Sequence, residues 1–485
     1  MARFEIPSGW VVQAYRFALD PTPTQHRALV SHSGAARFAH NHMLALVKAV
    51  MDQRAAERSY GIGVDELTPS LGWSLPALRK TWNIRKRAIA PWWGENSKEA
   101  YNTGLDALAR GLDNWSKSRT GERAGTSMGF PRFKTVRSRR SVRFTTGIIR
   151  VEPDRHHVTL PRLGRIRTHE STRKLARRIT AGTGRVLSAT VSQDSAGRWH
   201  CSLQTLVHAK TRRAHAPRSL VPVVGVDVGV KDLLVVAAAD GTELERIPAP
   251  KPLTRAQARL RVLQRAAARR HGPYDPVARS RRQPSKRWRA TQAKIGKTHA
   301  RATNVRRDVL HKNTTRLAEQ YRVIAVETLN ASGMRSAGGA HKRGLNRALG
   351  DAALAQVRTM LTYKTRWYDS TLVEADRYFP SSKTCSACGG RKPTLTLAER
   401  TYQCDHCDVV IDRDRNAAIN LARLGETHTV GEQGPAGSGS VAGRGAICET
   451  EPVRAGAAGG CEASTPRGPS GVGQPGTVVS QGTAA

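Results

Sequence analysis

The chain has 485 residues, and its 79 Lys and Arg outnumber 38 Asp and Glu to give a formal charge of +41. So large an excess makes a compact protein repel itself unless a polyanion neutralises it, which points to nucleic acid as a partner. No run of 18 or more apolar residues occurs and the first 20 residues hold no signal-peptide core, so a membrane role is disfavoured and an intracellular protein is expected.

In chain order, Trp10 to Leu19 reads as a strand that ends in the turn Asp20-Pro21. A helix start follows: Thr22 can cap, Pro23 suits the first helical position and Gln25 completes a capping box. Leu29, Val30, Phe38, Met43, Leu44 and Val47 carry its apolar face, and helical patterning resumes over 75–90 and 97–117. The segment 129–146 interleaves Arg and Lys with Phe130, Phe133 and Phe144, a composition suited to phosphate contact and base stacking. Short alternating runs at Val158–Leu160, Arg185–Ser192 and Trp199–Leu206 then indicate a β-rich module, so the N-terminal part is expected to be a small barrel-like domain with a helical insertion.

A second domain opens near Val221, with strands at 223–230, 233–238 and 243–247 around an Asp240-Gly241 turn. Residues 251–320 hold 20 Lys or Arg against Asp275, Asp308 and Glu319, with helical spacing over much of the stretch, which suits nucleic-acid contact. The short strand Val323–Val326 ends at Glu327; a helix is expected over 352–368, a strand over 372–378, and a final helix from about Asp414.

Three acids stand in unusual settings. Asp227 interrupts the apolar run VVGVDVGV between Gly225 and Gly229, Glu327 closes RVIAVE, and Asp414 opens the helix in IDRDRNAAINLAR. Burying an unpaired carboxylate is costly, so its presence in a strand asks for a reason. Two-metal phosphodiester hydrolysis supplies one: carboxylates from separate elements converge on two divalent ions, and Mg²⁺ suits oxygen ligands. Turn and helix-capping roles are the alternative for these acids, Asp412 and Asp414 in particular.

Of seven cysteines, Cys385 and Cys388 form one C-x-x-C pair, and Cys404 and Cys407 form a second 15 residues later. Two such knuckles make a tetrahedral Zn²⁺ site with no open position, which is structural and not catalytic. His406, inside the second pair, is expected to be a bystander; Cys201 reads as a strand residue, and Cys448 and Cys461 have no assigned role. From Gly425 to Ala485 there is no aromatic residue and no Lys, and Gly, Ala, Ser, Thr and Pro dominate, so this tail is expected to be disordered. With 3 Arg and 5 Glu it is slightly acidic, so the positive charge belongs to the remainder.

The blocks GVDVGVKDLLVVA, VIAVETLNASGM, SSKTCSACGG…YQCDHC and DRDRNAAINLA, in that order, resemble the TnpB family of transposon-encoded RNA-guided nucleases, relatives of the compact type V CRISPR effectors. AYRFALDPTPTQ and GFPRFK are also similar to family sequence, so the likeness covers about residues 11–424. It implies a RuvC-like, RNase H-type nuclease domain with a four-cysteine zinc insertion, and catalytic, Mg²⁺-binding roles for Asp227, Glu327 and Asp414, the last preferred over Asp412. One departure is visible: Thr328 stands where the family commonly has Asp. The resemblance further implies a guide RNA and double-stranded DNA targets bearing an adjacent motif, in a prokaryotic cytoplasm with the nucleoid.

The expected map is therefore an N-terminal recognition part over 1–215, the nuclease domain over 216–379 and 411–424, the zinc insertion over 380–410, and the tail over 425–485. The competing functions are an RNA-guided DNA-binding regulator that does not cut, and a guide-independent resolvase or transposase.

Overall fold

The computed structural model describes residues 5–209, 221–272, 274–277, 280–281, 284–336, 342–396 and 398–431. Strand β1 (Trp10–Asp20) is followed by three helices, α1 (Pro23–Ser59), α2 (Leu75–Ile89) and α3 (Lys98–Arg119). The chain then returns to the sheet through β2 (Ser141–Phe144), β3 (Arg150–Val151), β4 (His157–Leu160), β5 (Gly164–Thr168), α4 (Arg173–Thr180), β6 (Gly184–Gln193) and β7 (Trp199–His208). All pairings are antiparallel, in the order β2-β6-β7-β1-β5-β4-β3. β1 joins the two halves: it pairs with β7 from Trp10↔His208 to Ala18↔His200, and its last residues Leu19 and Asp20 pair with β5.

The helical insertion between β1 and β2 begins with the capping box its sequence indicates. Thr22 Oγ1 accepts the Gln25 N–H at 3.3 Å and Gln25 Oε1 accepts the Thr22 N–H at 3.0 Å. The expected barrel, however, is not closed: among the described residues β2 pairs with β6 alone and β3 with β4 alone. Strands of four and two residues offer little ladder for closure. Instead the insertion covers the sheet, and Met43, Leu44, Leu78, Leu105, Leu108 and Leu112 share one core with Phe17, Phe144 and Leu203. α1 and α3 meet backbone to backbone at Gly104, where a Cβ would lie 2.0 Å from the Ala36 carbonyl oxygen.

The second sheet contains β8 (Val223–Asp227), β9 (Asp232–Ala237), β10 (Glu243–Pro248), β13 (Val323–Val326) and β14 (Thr371–Glu374) in the order β10-β9-β8-β13-β14. β8, β13 and β14 are parallel, while β9 runs antiparallel to both β8 and β10. Between β10 and β13 lie α5 (Pro252–Arg269), the two-residue pair β11 (Tyr274–Asp275) and β12 (Ser280–Arg281), and α6 (Lys286–Gln320). After β13 come α7 (Ala331–Ser336), α8 (Arg343–Ala352) and α9 (Leu354–Tyr368); after β14 come β15 (Thr401–Gln403), β16 (Val410–Asp412) and α10 (Arg413–Gly431).

Both faces of the sheet are covered at its centre, which is why β8, β9 and β13 read as nearly unbroken apolar runs while β10 and β14 at the edges do not. Val224, Val226, Ile324 and Val326 pack with Leu310 and Leu317 of α6 and Val357 and Leu361 of α9. On the opposite face Val223, Val323 and Ala325 pack with Leu421 of α10. Lys364 is buried and pins α9 to α6, its Nζ donating to the His311 carbonyl and the Thr314 and Thr315 hydroxyls at 2.7 Å each.

The helix expected over 352–368 is α9 (Leu354–Tyr368), set off from α8 by Ala353 in a left-handed conformation (φ 53°). Two boundaries differ from the sequence reading. The strand expected to reach Tyr378 stops at Glu374, because Asp376 starts a turn by accepting the Tyr378 N–H at 2.8 Å. α10 runs to Gly431, past the expected start of the tail, because Gly425 is buried against Val223 and Ala325 and extends the helix's contact with the sheet; the rest of the tail lies outside the described residues. Among the described residues no helix is long and apolar enough to cross a membrane.

The α1–α3 contact carries a stability prediction. Gly104→Ala should cost about 1–3 kcal/mol, since the intruding methyl meets backbone that cannot rotate away. Urea unfolding checks it through a lower midpoint at unchanged slope.

Candidate catalytic and metal sites

Strand alternation aims the acids. Val224, Val226, Ile324 and Val326 face α6 and α9, so the intervening residues Val223, Gly225 and Asp227, and Val323, Ala325 and Glu327, face α10. Val226 and Val326 are paired in the parallel ladder, and the next residue on each strand is an acid. α10 lies along β8 with its N-terminus at the same end. Ala418 and Ala422 press on Gly225, where a Cβ would sit 1.9 Å from the Ala418 carbonyl oxygen, and Gly425 meets Val223 further along. Asp414, in the first turn of α10, thereby arrives beside Asp227 and Glu327.

Burial and neighbouring like charges disturb all three half-buried carboxylates. Burial, then Glu327 and Asp414, push Asp227 well above the usual carboxylate range. Glu327 is raised by burial and by Asp414, against the Ser381 hydroxyl bonded to its Oε1 and the Arg413 guanidinium. Asp414 is raised by burial and by Asp412, with Arg400, Arg413 and Arg246 opposing. The donor set is hard oxygen whose negative charge the nearby guanidinium groups offset only in part, which fits a divalent cation such as Mg²⁺. Among the described residues, however, the carboxylates do not form a set whose ligand atoms all lie within 4.8 Å of one another; the four cysteines do.

Asp412 has a different role from Asp414. Its Oδ1 accepts the N–H groups of Asp414 (3.1 Å) and Arg415 (3.0 Å), capping α10, and also a bond from Arg246 Nη2 at 3.0 Å. Against the cost of its burial, these partners hold its carboxyl below the usual range. Arg246 also reaches Glu243 through two bonds of 2.8 Å and Asp232 at 3.0 Å, so one guanidinium ties β9 and β10 to the start of α10. Thr328, at the position where the resemblance leads one to expect Asp, donates to the Ala375 carbonyl at 2.8 Å.

Cys385, Cys388, Cys404 and Cys407 form one cluster, with Cys385 and Cys407 sulfurs 3.7 Å apart and Cys388 and Cys404 sulfurs 3.6 Å apart. A tetrahedral ion with Zn–S bonds of about 2.3 Å needs sulfurs roughly 3.8 Å apart, so this set could hold zinc. The knuckles prepare the sulfurs as ligands: N–H groups of Ala387 and Gly390 point at Cys385 and Cys388 (3.4 Å each), and that of His406 at Cys404 (3.3 Å). The His406 ring lies against Gly390, outside the sulfur set.

The cluster is stitched to α10. Asn416, buried, accepts the Ser386 N–H at 2.8 Å and donates to the Thr384 carbonyl at 2.7 Å; Asn420 donates to the Ser381 and Thr384 carbonyls at 2.8 and 2.7 Å. Ser381 in turn touches Glu327. Ser381, Arg246, Asn416 and Asn420 were not singled out from the sequence. The NAAIN run next to Asp414 was the available signal for the asparagines, and SSKTC for the serine.

The basic segments are only partly as expected. Arg255, Arg259, Arg261, Arg265, Lys294, Lys297 and Arg301 of α5 and α6 are exposed, which leaves them open to a polyanion. The stacking role expected for 129–146 narrows to Phe133, which is 53% exposed. Phe144 is wholly buried, and Phe130 packs edge-on to Trp115 with ring centroids 5.0 Å apart. Cys201 lies buried in β7, its thiol pushed up to about 12 by burial.

Comparison with known proteins gives the same regions. Family models match residues 355–421 ("Cas12f1-like, TNB domain"), 207–337 ("Probable transposase") and 11–55 ("Helix-turn-helix domain"); the last range is here β1 and most of the single helix α1. "Putative RNA-guided DNA endonuclease Rv2885c" of Mycobacterium tuberculosis H37Rv is 43% identical over 473 residues, 96% of each chain. "Putative RNA-guided DNA endonuclease InsQ" of Escherichia coli K12 is 27% identical over 85% of this chain and 92% of its own length. Among solved structures, a Cas12f1–sgRNA–target DNA complex aligns with a TM-score of 0.44 at 11% identity, covering 86% of this chain and 99% of that one.

Two outcomes are expected of these sites. Metal analysis of the purified chain should find one zinc per molecule, and Cys404→Ser should bring it close to none; a metal-free wild type would refute the sulfur assignment. In magnesium-free buffer, with the zinc left in place, Asp227→Asn should melt above the wild type, by about 1 °C for each kcal/mol of repulsion removed. Calorimetry showing an equal or lower Tm would mean that the carboxylates do not oppose one another.

Proposed function

Because the chain belongs to the TnpB family of RNA-guided DNA endonucleases, we propose that it cuts double-stranded DNA under the direction of a guide RNA, using Asp227, Glu327 and Asp414 as ligands for two Mg²⁺ ions. The observation that carries this reading is the convergence of three partly buried carboxylates from two strands and a helix, with Glu327 and Asp414 both raising Asp227, a cost to the fold that a divalent cation would remove. A five-stranded sheet in which β9 alone runs against the other four, acids at the strand ends and a third acid on the covering helix support a RuvC-like, RNase H-type nuclease domain.

Bound Mg²⁺ would supply the activation of a water and the stabilisation of the leaving oxygen. The chain's own groups set the geometry. Ser381 fixes the Glu327 carboxylate, Arg413 tempers the negative charge, and Arg246 holds Asp412 as a cap so that Asp414 alone of that pair faces the other acids. Zinc on the four cysteines would be structural, keeping the Ser381 loop and the start of α10 in fixed relation. The exposed cations of α5 and α6 suit a guide–target duplex held by its shape, and the sheet over residues 10–208 with its helices suits guide and adjacent-motif recognition.

The test uses the full chain purified with RNA expressed from its own flanking DNA. Target DNA carrying a randomised adjacent motif, with Mg²⁺, should be cut at guide-matched sites, and Asp227→Ala or Glu327→Ala should abolish cutting without loss of RNA. Binding without cutting would favour a regulator. Cutting by RNA-free protein would favour a guide-independent resolvase or transposase.

A further inference from the structure

Between β14 and the cysteine cluster, residues 375–381 form a turn fastened at both ends to the strand that bears Glu327. At one end the Ala375 N–H donates to the Val326 carbonyl at 2.9 Å, and Thr328 Oγ1 donates to the Ala375 carbonyl. At the other, Ser381 bonds to the Glu327 carboxylate while its own carbonyl is held by Asn420. The turn is internally fixed as well: Asp376 accepts the Tyr378 N–H through its side chain and the Phe379 N–H through its carbonyl at 3.1 Å. Phe379 packs inward against the core of Val223, Val323 and Leu421. Its neighbour Tyr378 turns outward, 80% exposed, with the Arg377 guanidinium 5.7 Å from its ring centroid.

A large aromatic ring 80% exposed on so well-fastened a turn, three residues before the serine that bonds a proposed catalytic carboxylate and paired with a cation, has no packing function in the fold. We propose that Tyr378 is a stacking platform for a nucleobase adjoining the scissile phosphodiester, with Arg377 meeting the backbone of the same strand. The proposal rests on the nuclease reading above and adds the contact that seats the substrate. Stacking on an aromatic face tolerates every base, which suits an enzyme whose sequence choice is made by guide pairing elsewhere. It also requires an unpaired base, so the strand presented to the acids is single-stranded at that point.

The experiment places 2-aminopurine at successive positions flanking the cut in a guide-matched target opened as a bubble, with the full chain and its RNA. Fluorescence is read in Ca²⁺ and cleavage in Mg²⁺. The wild type should quench the probe at one or two positions. Tyr378→Ala should lose that quenching and raise KM about tenfold or more, with a smaller effect on kcat, while Tyr378→Trp retains both properties. Unchanged quenching and KM in Tyr378→Ala would overturn the proposal. So would equal loss of activity in the Ala and Trp variants with quenching intact, since that pattern belongs to a structural residue. A wild type that quenches but never cuts would count against the nuclease reading and leave the stacking contact standing.

Discussion

Repulsion among like charges is what the C-terminal half of this protein is built to withstand. Carboxylates on two parallel strands and a helix are brought close enough that Glu327 and Asp414 raise the proton affinity of Asp227, and the Arg413 guanidinium and the Ser381 hydroxyl oppose this only in part. The opposing force is burial on both sheet faces: aliphatic side chains of β8 and β13 alternate between α6 and α9 on one side and α10 on the other. The same alternation that fills those two cores selects the face on which Asp227 and Glu327 emerge. The acids share one face because the valines before them must take turns.

How close α10 comes is decided by Gly225. With no side chain there, the helix backbone touches the strand, and the first turn of the helix sets Asp414 beside the strand ends. Asn416 and Asn420 then use their amide groups to secure the loop leading into the cysteine knuckles, and Ser381 passes that order on to Glu327. A metal held by sulfur would therefore influence the oxygen site through three side chains, Asn416, Asn420 and Ser381, and no direct contact. The two sites are mechanically coupled, and chemically distinct.

Much of this was legible in the sequence. The capping box at Thr22–Gln25 was readable because its partners lie three residues apart, and the run VVGVD because strands covered on both faces have a simple pattern. The acids were conspicuous as charges inside apolar strands, and the cysteines through their spacing. Arg246 was not legible: it is one arginine among 79 cationic residues, and its importance comes from Glu243, Asp232 and Asp412 meeting in space. Nor did composition distinguish Phe133 from Phe144, since which of them is buried depends on the pairing of β2 with β6.

The order in which the acids occur along the chain has a consequence during synthesis. Asp227 and Glu327 leave the ribosome well before the segment 413–431 that supplies the third acid and covers one face of their sheet. Until that segment arrives, a nascent or prematurely terminated chain has an incomplete acid set and a bare aliphatic face, the kind of surface that invites aggregation. Truncation at the last helix therefore removes a carboxylate and uncovers a core in one stroke.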